Sequence, residues 1–386
     1  MRVALNLEQL LQPAPGGIGR YTAELARLLP TLSAGDGGDV VALLPFVARH
    51  SRSRVHAALL EHGIGDLDPV VLPLPRPLLY DAWHLLRRPR LDHMRRLTGA
   101  DLVHAPSVAV PPRSRVPLVV TAHDAAPLVF PDSYPRRGRR FHAQGLAAAA
   151  ERADLVITVS KAAAEEIAEY TEIPRERLRV VPNGVVLDIA TDAEVAKARG
   201  ELGIEDAPYV FWLGSLEPRK NVGLLVDAFA RWAETSSQPH RLVLAGPAGW
   251  VEDAASVLAP ARGLGDRVRT VGRIGDATAR ALYRGADLFA FPSRHEGFGI
   301  PVLEAMAQST PVMAADIPPL REVAANAAVF LPPDDLDAWA NALGRLLLDD
   351  AERARLGAAG RDRAQHYSWR RCAEATRAVY REALGS

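Results

Sequence analysis

The chain has 386 residues, 48% hydrophobic and 24% charged, which is enough apolar material for two or three folded domains and excludes a disordered chain. Lys plus Arg and Asp plus Glu number 46 each, so bulk charge does not favour a nucleic-acid partner. The single cysteine, Cys372, excludes an intrachain disulfide and a cysteine-based metal cage, and it favours a cytoplasmic protein. The sequence contains no run of 18 consecutive apolar residues, so no transmembrane helix is predicted.

Short apolar runs bounded by Gly, Pro, Asn or Asp recur in the first half of the chain. The predicted strands are residues 2–7, 40–44, 102–104, 118–122 and 155–159. Helical spacing is present at residues 21–29 and 161–170. Such alternation is typical of βαβ units around a parallel sheet. The first half is therefore predicted to be a doubly wound α/β domain.

The same pattern begins again after residue 185. The predicted strands are residues 209–213, 242–245, 268–271, 288–291, 312–314 and 329–331. We expect a first domain at residues 1–186, a second of the same class at residues 187–368, and an amphipathic helix from Trp369. Ligands bind outside the carboxyl ends of strands in such sheets, so the cleft between the two domains is the predicted site.

The most informative segment follows the strand at residues 288–291. Glu296 and two glycines lie in a loop, a helix opens near Pro301, and Glu304 lies about a turn into that helix. A helix start with glycines can hold an anion or a hydroxyl group against backbone amides. Solvated acids and turn-forming glycines are the alternative interpretation.

A second segment follows the strand at residues 209–213. Arg219 and Lys220 precede a helix whose positive end adds to their charge, a setting that suits a diphosphate. Two surface cations near a helix start are the alternative.

Two features of the first domain lie beside its predicted strands. Gly16 and Gly17 come before the first helix, but Thr22 replaces the third glycine of a dinucleotide fingerprint, which weakens a dehydrogenase reading. His123 follows the strand at residues 118–122, where an imidazole can position a hydroxyl group. A tight turn and a structural histidine are the alternatives.

Six motifs in order make the chain resemble the retaining GT-B glycosyltransferases of family 4, a group that includes bacterial mannosyltransferases. The most specific pairs Glu296 with Glu304 across seven intervening residues. The motifs lie at residues 16–22, 121–124, 153–160, 181–185, 214–221 and 296–304. The resemblance implies two Rossmann-like domains facing a central cleft, the first binding acceptor and the second the nucleotide sugar, with residues 369–386 crossing back to the first domain.

The resemblance also implies a role for each matching residue. Glu296 lies by the donor sugar, Glu304 holds the ribose hydroxyls, and Lys220 holds the diphosphate. Gly16 and Gly17 close over the donor, and His123 lies near the reacting carbon. The remaining donor contacts are Gly297, Phe298, Gly299 and Ile300.

One position departs from the family pattern. Many relatives carry an arginine directly after the glycine of the loop at residues 214–221, where this chain has Ser215. Arg219 or Arg273 is expected to supply the missing cation, and Ile274, next to Arg273, is a further expected donor contact.

The resemblance further implies a reaction without a metal or other cofactor, in which a hexose moves from a nucleotide sugar to a glycan or lipid-linked hydroxyl with retained configuration. GDP-mannose is the favoured donor. A UDP- or dTDP-sugar donor, an epimerase or phosphorylase of the same shape, and a nucleotide- or glycan-binding protein without turnover stay open. Cations mixed with apolar groups at residues 80–88, 94–96 and 136–140 leave open a peripheral contact with the inner face of a membrane.

Overall fold

Two separate parallel sheets organise the chain. The computed structural model describes residues 1–13, 15–32, 40–204, 207–249 and 259–385, without the side chains of residues 259–262. Close contacts divide the chain into two units. The first unit comprises Met1–Pro131, Arg136–Gly184 and Trp369–Ser386. The second comprises Asp132–Pro135 and Val185–Ser368.

The sheet of the first unit has seven parallel strands in the order β3-β2-β1-β4-β5-β6-β7. They are β1 (Arg2–Asn6), β2 (Ala42–Val47), β3 (Val70–Val71), β4 (Leu102–Ala105), β5 (Leu118–Thr121), β6 (Leu155–Thr158) and β7 (Leu178–Val180). The sheet grows outward in both directions from β1 and β4, so the pair β1/β4 is its topological switch point.

Seven of the described helices belong to the first unit. They are α1 (Gly16–Leu28), α2 (Arg52–Glu61), α3 (Arg76–Asp81), α4 (Ala126–Val129), α5 (Arg136–Arg152), α6 (Lys161–Tyr170) and, at the end of the chain, α14 (Trp369–Ala383). The sheet is buried on both faces: Ala4 of β1 packs into one apolar cluster and its neighbour Leu5 into another. Such two-sided burial explains why its strands have nearly continuous apolar runs.

The sheet of the second unit has six parallel strands in the order β10-β9-β8-β11-β12-β13. They are β8 (Tyr209–Leu213), β9 (Arg241–Ala245), β10 (Val268–Gly272), β11 (Leu288–Phe291), β12 (Val312–Ala315) and β13 (Val329–Leu331). The switch point here is the pair β8/β11, and aromatic side chains fill the core beside it, with Phe211, Tyr283 and Phe289 in edge or tilted contact.

The described helices of the second unit flank this sheet. They are α7 (Asp192–Glu201), α8 (Val222–Thr235), α9 (Asp276–Gly285), α10 (Ile300–Ala307), α11 (Pro318–Ala324), α12 (Leu336–Leu348) and α13 (Asp350–Ala364). Among the helices that the structure describes, none has the length and apolar character needed to cross a bilayer.

Most predicted strands agree with the structure within two residues, and three differences have physical reasons. The short strands β3 and β7 were missed because segments of two and three residues are too short to give a readable alternation. The strand predicted at residues 40–44 lies at Ala42–Val47, with Pro45 inside it. The helix predicted at residues 21–29 begins at Gly16, because glycine lowers helix propensity without preventing a first turn.

The C-terminal helix returns to the first unit. α14 begins at Trp369, as predicted, and its apolar face packs on α1 and on the ends of β5 and β6. The structure divides the chain between Gly184 and Val185, two residues before the predicted boundary. The acceptor-binding and donor-binding roles given to the two domains stay predictions.

Candidate functional site

Two loops at the switch point of the second unit bring charged side chains together. The first follows β8 and contains Ser215, Arg219 and Lys220; the second follows β11 and contains Glu296. The Arg294 amide donates to the Arg219 carbonyl oxygen at 2.8 Å, which joins the two loops. Parallel neighbouring strands end at the same edge of a sheet, so this meeting is a consequence of the strand order.

Glu296 is held between two cations. Its Oε1 lies 2.6 Å from Lys220 Nζ and 3.4 Å from an Nη of Arg219. Lys220 and Glu296 are each less than a tenth exposed, and the Lys220 ammonium also lies 5.1 Å from the centre of the Phe291 ring. Glu217 also lies 2.9 Å from Arg219 Nε, so each of the two cations is fixed beside a carboxylate, and cations held in this way can hydrogen-bond an anionic ligand.

Burial and pairing act in opposite directions on these groups. Burial lowers the pKa of Lys220, and Glu296 offsets part of that shift. Burial by itself would raise the pKa of Glu296, but Lys220 and Arg219 outweigh it and hold that pKa below its ordinary value. Glu296 is therefore ionised at neutral pH, and its charge opposes the loss of the Lys220 proton.

The serine that departs from the family pattern is part of this cluster. Ser215 Oγ hydrogen-bonds Glu217, and Glu217 Oε2 lies 2.9 Å from Arg219 Nε. The guanidinium also donates to the His295 carbonyl oxygen at 3.2 Å. These contacts hold the Arg219 guanidinium beside Lys220. Glu217 was not singled out from the sequence, although a second acid next to two cations was a readable signal.

The loop after β11 leads into α10 through a glycine that no other residue can replace without strain. Gly299 caps α10 with φ +104°, and a Cβ there would lie 2.4 Å from Leu320 Cδ2. Ile300 is the first helical residue, and Phe298 is buried against Tyr367. Gly297 lies between Glu296 and Phe298 in the same loop.

Glu304 lies one turn into α10, as the sequence predicted. The buried Tyr283 of α9 donates its hydroxyl to Glu304 Oε2 at 3.1 Å. This hydrogen bond fixes the orientation of the Glu304 carboxylate. Tyr283 was not predicted from the sequence, because nothing in its own segment indicates contact with the helix that begins at Ile300.

Arg273 and Ile274 lie at the same carboxyl-end edge of the second unit's sheet, but away from the Lys220–Glu296 pair. They follow β10, and β9 lies between β10 and β8. The two strand spacings together place β10 about 10 Å from β8. Arg273 is exposed, whereas Arg219 is largely buried next to Lys220.

In the first unit, the two glycines and His123 lie near the ends of different strands. Gly16 and Gly17 begin α1, where the first backbone amides of a helix have no partner within the helix, and Gly16 has the left-handed φ of +58°. His123 follows β5; its Nε2 lies 3.0 Å from the Pro106 carbonyl oxygen. Because a carbonyl only accepts, Nε2 carries the proton and Nδ1 is left as an acceptor.

The His123 imidazole is neutral. Burial lowers its pKa, and Asp124 offsets only part of that shift. The ring also meets the edge of Tyr21, with centroids 5.0 Å apart and planes at 88°. A neutral ring of this kind can accept a hydrogen bond from a hydroxyl group.

Sequence analysis missed two buried polar groups of the first unit. Glu8, which follows β1, accepts from the Ala48 amide at 2.9 Å and lies 2.8 Å from His50 Nε2. His104 interrupts the apolar run of β4, which was a readable signal, and it is fully buried beside Thr121.

Among the described residues, no group of three His, Cys, Asp or Glu side chains is placed to hold a metal ion. Cys372 is free and buried, and burial raises the pKa of its thiol to about 12.

Comparisons with known proteins agree along the whole chain. The family described as Glycosyl transferases group 1 matches residues 194–363, and that described as Glycosyltransferase Family 4 matches residues 15–189. The chain is 28% identical to the O-antigen chain mannosyltransferase B of Escherichia coli, over 99% of this chain and 100% of that one. It is 33% identical to the D-inositol 3-phosphate glycosyltransferase of Xylanimonas cellulosilytica, over 69% of this chain and 67% of the relative.

Solved structures of similar shape include two with nearly complete coverage. The complex of Anabaena HepE with UDP and glucose gives a TM-score of 0.74 at 20% identity, over 99% of this chain and 100% of that one. The sucrose-phosphate synthase of Thermosynechococcus elongatus gives 0.75 at 24% identity, over 100% and 99%. At this identity, the likeness is one of fold.

Proposed function

Because this chain belongs to the family 4 glycosyltransferases of the group 1 type, we propose that it transfers a hexose, with mannose favoured, from a nucleotide sugar to a hydroxyl group. Membership makes the chain a glycosyltransferase, and the GT-B fold predicted from its sequence is confirmed. The proposed acceptor is a glycan, a glycolipid or a small molecule.

One observation carries the donor site: the Lys220–Glu296 pair, with Arg219 beside it, at the switch point of the second unit. A leaving nucleoside diphosphate gains negative charge as the sugar bond breaks. Cations that are already fixed in a buried site stabilise this charge without reorganising. We assign Lys220 and Arg219 to the diphosphate, Glu296 and the amides of residues 297–300 to the sugar, and Glu304 to the ribose.

Two relatives support mannose, whereas other relatives are named D-inositol 3-phosphate glycosyltransferases. The relative covered from end to end is named a mannosyltransferase, and so is a second Escherichia coli protein, WbdA, at 31% identity over 65% of this chain. GDP-mannose is therefore the proposed donor. UDP- and dTDP-sugars are the alternative donors, and a nucleotide- or glycan-binding protein without turnover is the alternative from another class.

We propose transfer with retained configuration by attack on the face that the leaving group occupies. The departing phosphate oxygen takes the acceptor proton, so the reaction needs neither a carboxylate nucleophile nor a divalent metal. This step comes from the family resemblance. It is consistent with Glu296 Oε1, which is already engaged by a lysine and an arginine and is a poor nucleophile.

The first test is thermal stabilisation by GDP, UDP, ADP and dTDP and their sugars, without added metal. A bound nucleotide raises Tm by a few degrees at saturating concentration. We expect the shift with GDP and GDP-mannose, and its loss in Lys220→Ala and Glu304→Ala. A Tm shift with a nucleotide of another base would assign the donor to that base. The absence of a shift with every nucleotide would contradict the proposed donor site.

The second test follows the product. Nuclear magnetic resonance of the transferred sugar with a panel of hydroxyl acceptors should show retained anomeric configuration, at rates unchanged by a metal chelator. Inversion would refute the proposed mechanism, and a changed sugar would favour an epimerase. Nucleotide binding without donor consumption would favour the binding-protein alternative.

A comparison of two variants distinguishes the proposed roles of Arg219 and Arg273. The buried Arg219 touches Glu296, and Arg273 lies two strands away, so we expect Arg219→Ala to weaken diphosphate binding more. The reverse order would assign the second diphosphate cation to Arg273, with Ile274 next to it as a donor contact. Gly16 and Gly17, at the start of α1, are proposed contacts of the sugar phosphate, and His123, whose Nε2 faces the Pro106 carbonyl oxygen, is a proposed contact of a sugar hydroxyl through Nδ1.

We also propose a peripheral membrane contact through the first unit, with the enzyme at the inner face of the membrane. Leu85 and Leu86 are 66% and 72% exposed, and Arg87 and Arg88 follow them. Exposed leucines beside arginines match an anionic bilayer surface.

Vesicle sedimentation tests this contact. The full chain should sediment with anionic vesicles and less with zwitterionic ones, and Leu85→Ser with Leu86→Ser should reduce sedimentation. Leu348→Ser, at a leucine that is 67% exposed in the second unit, is the matched control. Equal sedimentation of both variants would contradict the proposal.

A further inference from the structure

Five buried side chains of the first unit form one continuous hydrogen-bond chain. Tyr21 lies on α1, Thr121 ends β5, and His104 lies in β4. Thr376 and Tyr380 lie one turn apart on α14. All five side chains are fully buried, so each polar atom needs a partner inside the protein.

The buried Tyr380 hydroxyl sets the direction of these bonds. The fully buried Tyr380 hydroxyl needs an acceptor for its proton, and His104 Nδ1 lies 2.7 Å away, which makes Nε2 the donor towards Thr121 and Thr121 the donor towards Tyr21. The Thr376 hydroxyl donates its only proton to the Cys372 carbonyl oxygen at 2.8 Å, so towards the neighbouring Tyr21 its oxygen can only accept, which agrees with that direction. Tyr21 has then used its proton and must accept from Thr121, whose hydroxyl oxygen lies 3.0 Å away.

The tautomer of His104 follows from the same hydrogen-bond directions. Thr121 donates to Tyr21, so it accepts from His104 Nε2 at 2.9 Å. His104 is therefore the Nε2–H tautomer, and its Nδ1 accepts from the Tyr380 hydroxyl at 2.7 Å. Burial lowers the pKa of His104 to about 3, which keeps the ring neutral.

One member of this hydrogen-bond chain, Tyr21, lies against the candidate histidine of the site. The Tyr21 ring meets the His123 ring at 88°, with centroids 5.0 Å apart, and the Pro106 carbonyl oxygen holds His123 Nε2. These two contacts orient the Nδ1 lone pair of His123. A shift of Tyr21 would therefore turn the atom that accepts from a hydroxyl group.

We propose that Tyr21 is a positioning residue for His123. Two side chains of α14, Thr376 and Tyr380, hold Tyr21 in place through the hydrogen-bond chain. The C-terminal helix thus sets the geometry of a reacting group that it does not touch. This inference rests on the proposed role of His123 in transfer.

The experiment measures the histidine rings and the kinetics on the same full-length variants. The variants are Tyr21→Phe and Tyr380→Phe, which each remove one hydroxyl. Tyr209→Phe is the matched control, because Tyr209 is fully buried and donates to the Leu282 carbonyl oxygen, but belongs to the second unit.

With histidine labelled in both ring nitrogens, wild-type His104 should give the Nε2–H pattern and not titrate between about pH 5 and 8. The His123 signals should move in Tyr21→Phe and Tyr380→Phe and stay in Tyr209→Phe. kcat should fall about tenfold in the first two variants, with the donor KM unchanged, because misplacement of a reacting group affects the transition state.

A wild-type Nδ1–H tautomer of His104, or His123 signals that neither substitution moves, would overturn the inference. An unchanged kcat in both variants would remove the positioning role. A wild type that consumes no donor would refute the proposed function, and the histidine signals would still test the hydrogen-bond chain. Should Tyr380→Phe not fold, Thr376→Val removes the acceptor of Tyr21 and takes its place.

Discussion

Both units have a doubly wound parallel sheet, but the buried polar groups in contact with their candidate site residues differ in kind. In the second unit, carboxylates and cations meet at the β8/β11 switch point, with Lys220 and Glu296 at its centre. In the first unit, neutral hydroxyls and imidazoles form the buried network around His104. Charges fixed in advance suit a departing diphosphate, and neutral groups suit the orientation of hydroxyl groups. The comparison teaches that one architecture supports two kinds of site through the residues after its strands.

The largest expected effect comes from breaking the ion pair of the second unit. Lys220→Ala leaves Glu296 buried without its closest partner, which costs about 3–5 kcal/mol of unfolding free energy. kcat/KM should fall by about 10²–10³ because a leaving-group cation is lost. Steady-state kinetics and denaturant unfolding measure both effects.

Lys197→Ala is the control for this change, because Lys197 lies on α7 with its side chain 75% exposed. It should leave activity unchanged. Wild-type kinetics in Lys220→Ala would show that the charged cluster is not the donor site.

The next effect comes from the glycine that caps α10. Gly299→Ala places a Cβ 2.4 Å from Leu320 Cδ2 at φ +104°, and should cost about 1–3 kcal/mol and weaken donor binding. Gly200→Ala, within α7 and with open space around it, should instead stabilise the protein slightly. Equal thermal stability of the two variants would contradict this account.

The neutral hydrogen-bond network of the first unit should affect how the unfolding free energy depends on pH in acid. The pKa of His104 is about 3 in the folded chain and about 6.5 in the unfolded one. Below about pH 6.5 the unfolded chain binds the extra proton, so the unfolding free energy falls as the pH drops towards 3. His104→Gln should flatten this slope, as measured by denaturant unfolding at successive pH values. An unchanged slope would mean that His104 does not contribute.

The smallest expected effect concerns the carboxylate assigned to the ribose. Tyr283→Phe removes the hydroxyl that donates to Glu304, a bond worth about 1 kcal/mol, so the donor KM should rise about fivefold with little change in kcat. Tyr170→Phe, at an exposed tyrosine that ends α6, is the control. A fall in kcat alone would indicate a different role for Glu304.

The sequence by itself predicted two parallel-sheet domains, because strands buried on both faces leave long apolar runs. It also predicted the position of Glu304 in its helix and the start of α14 at Trp369, since helix starts have local signals. The pairing of Lys220 with Glu296 needed the strand order, which joins residues 76 positions apart. The contacts of Tyr21, His104 and Tyr380 were decided by tertiary structure, because the direction of a buried hydrogen bond depends on every partner along the chain.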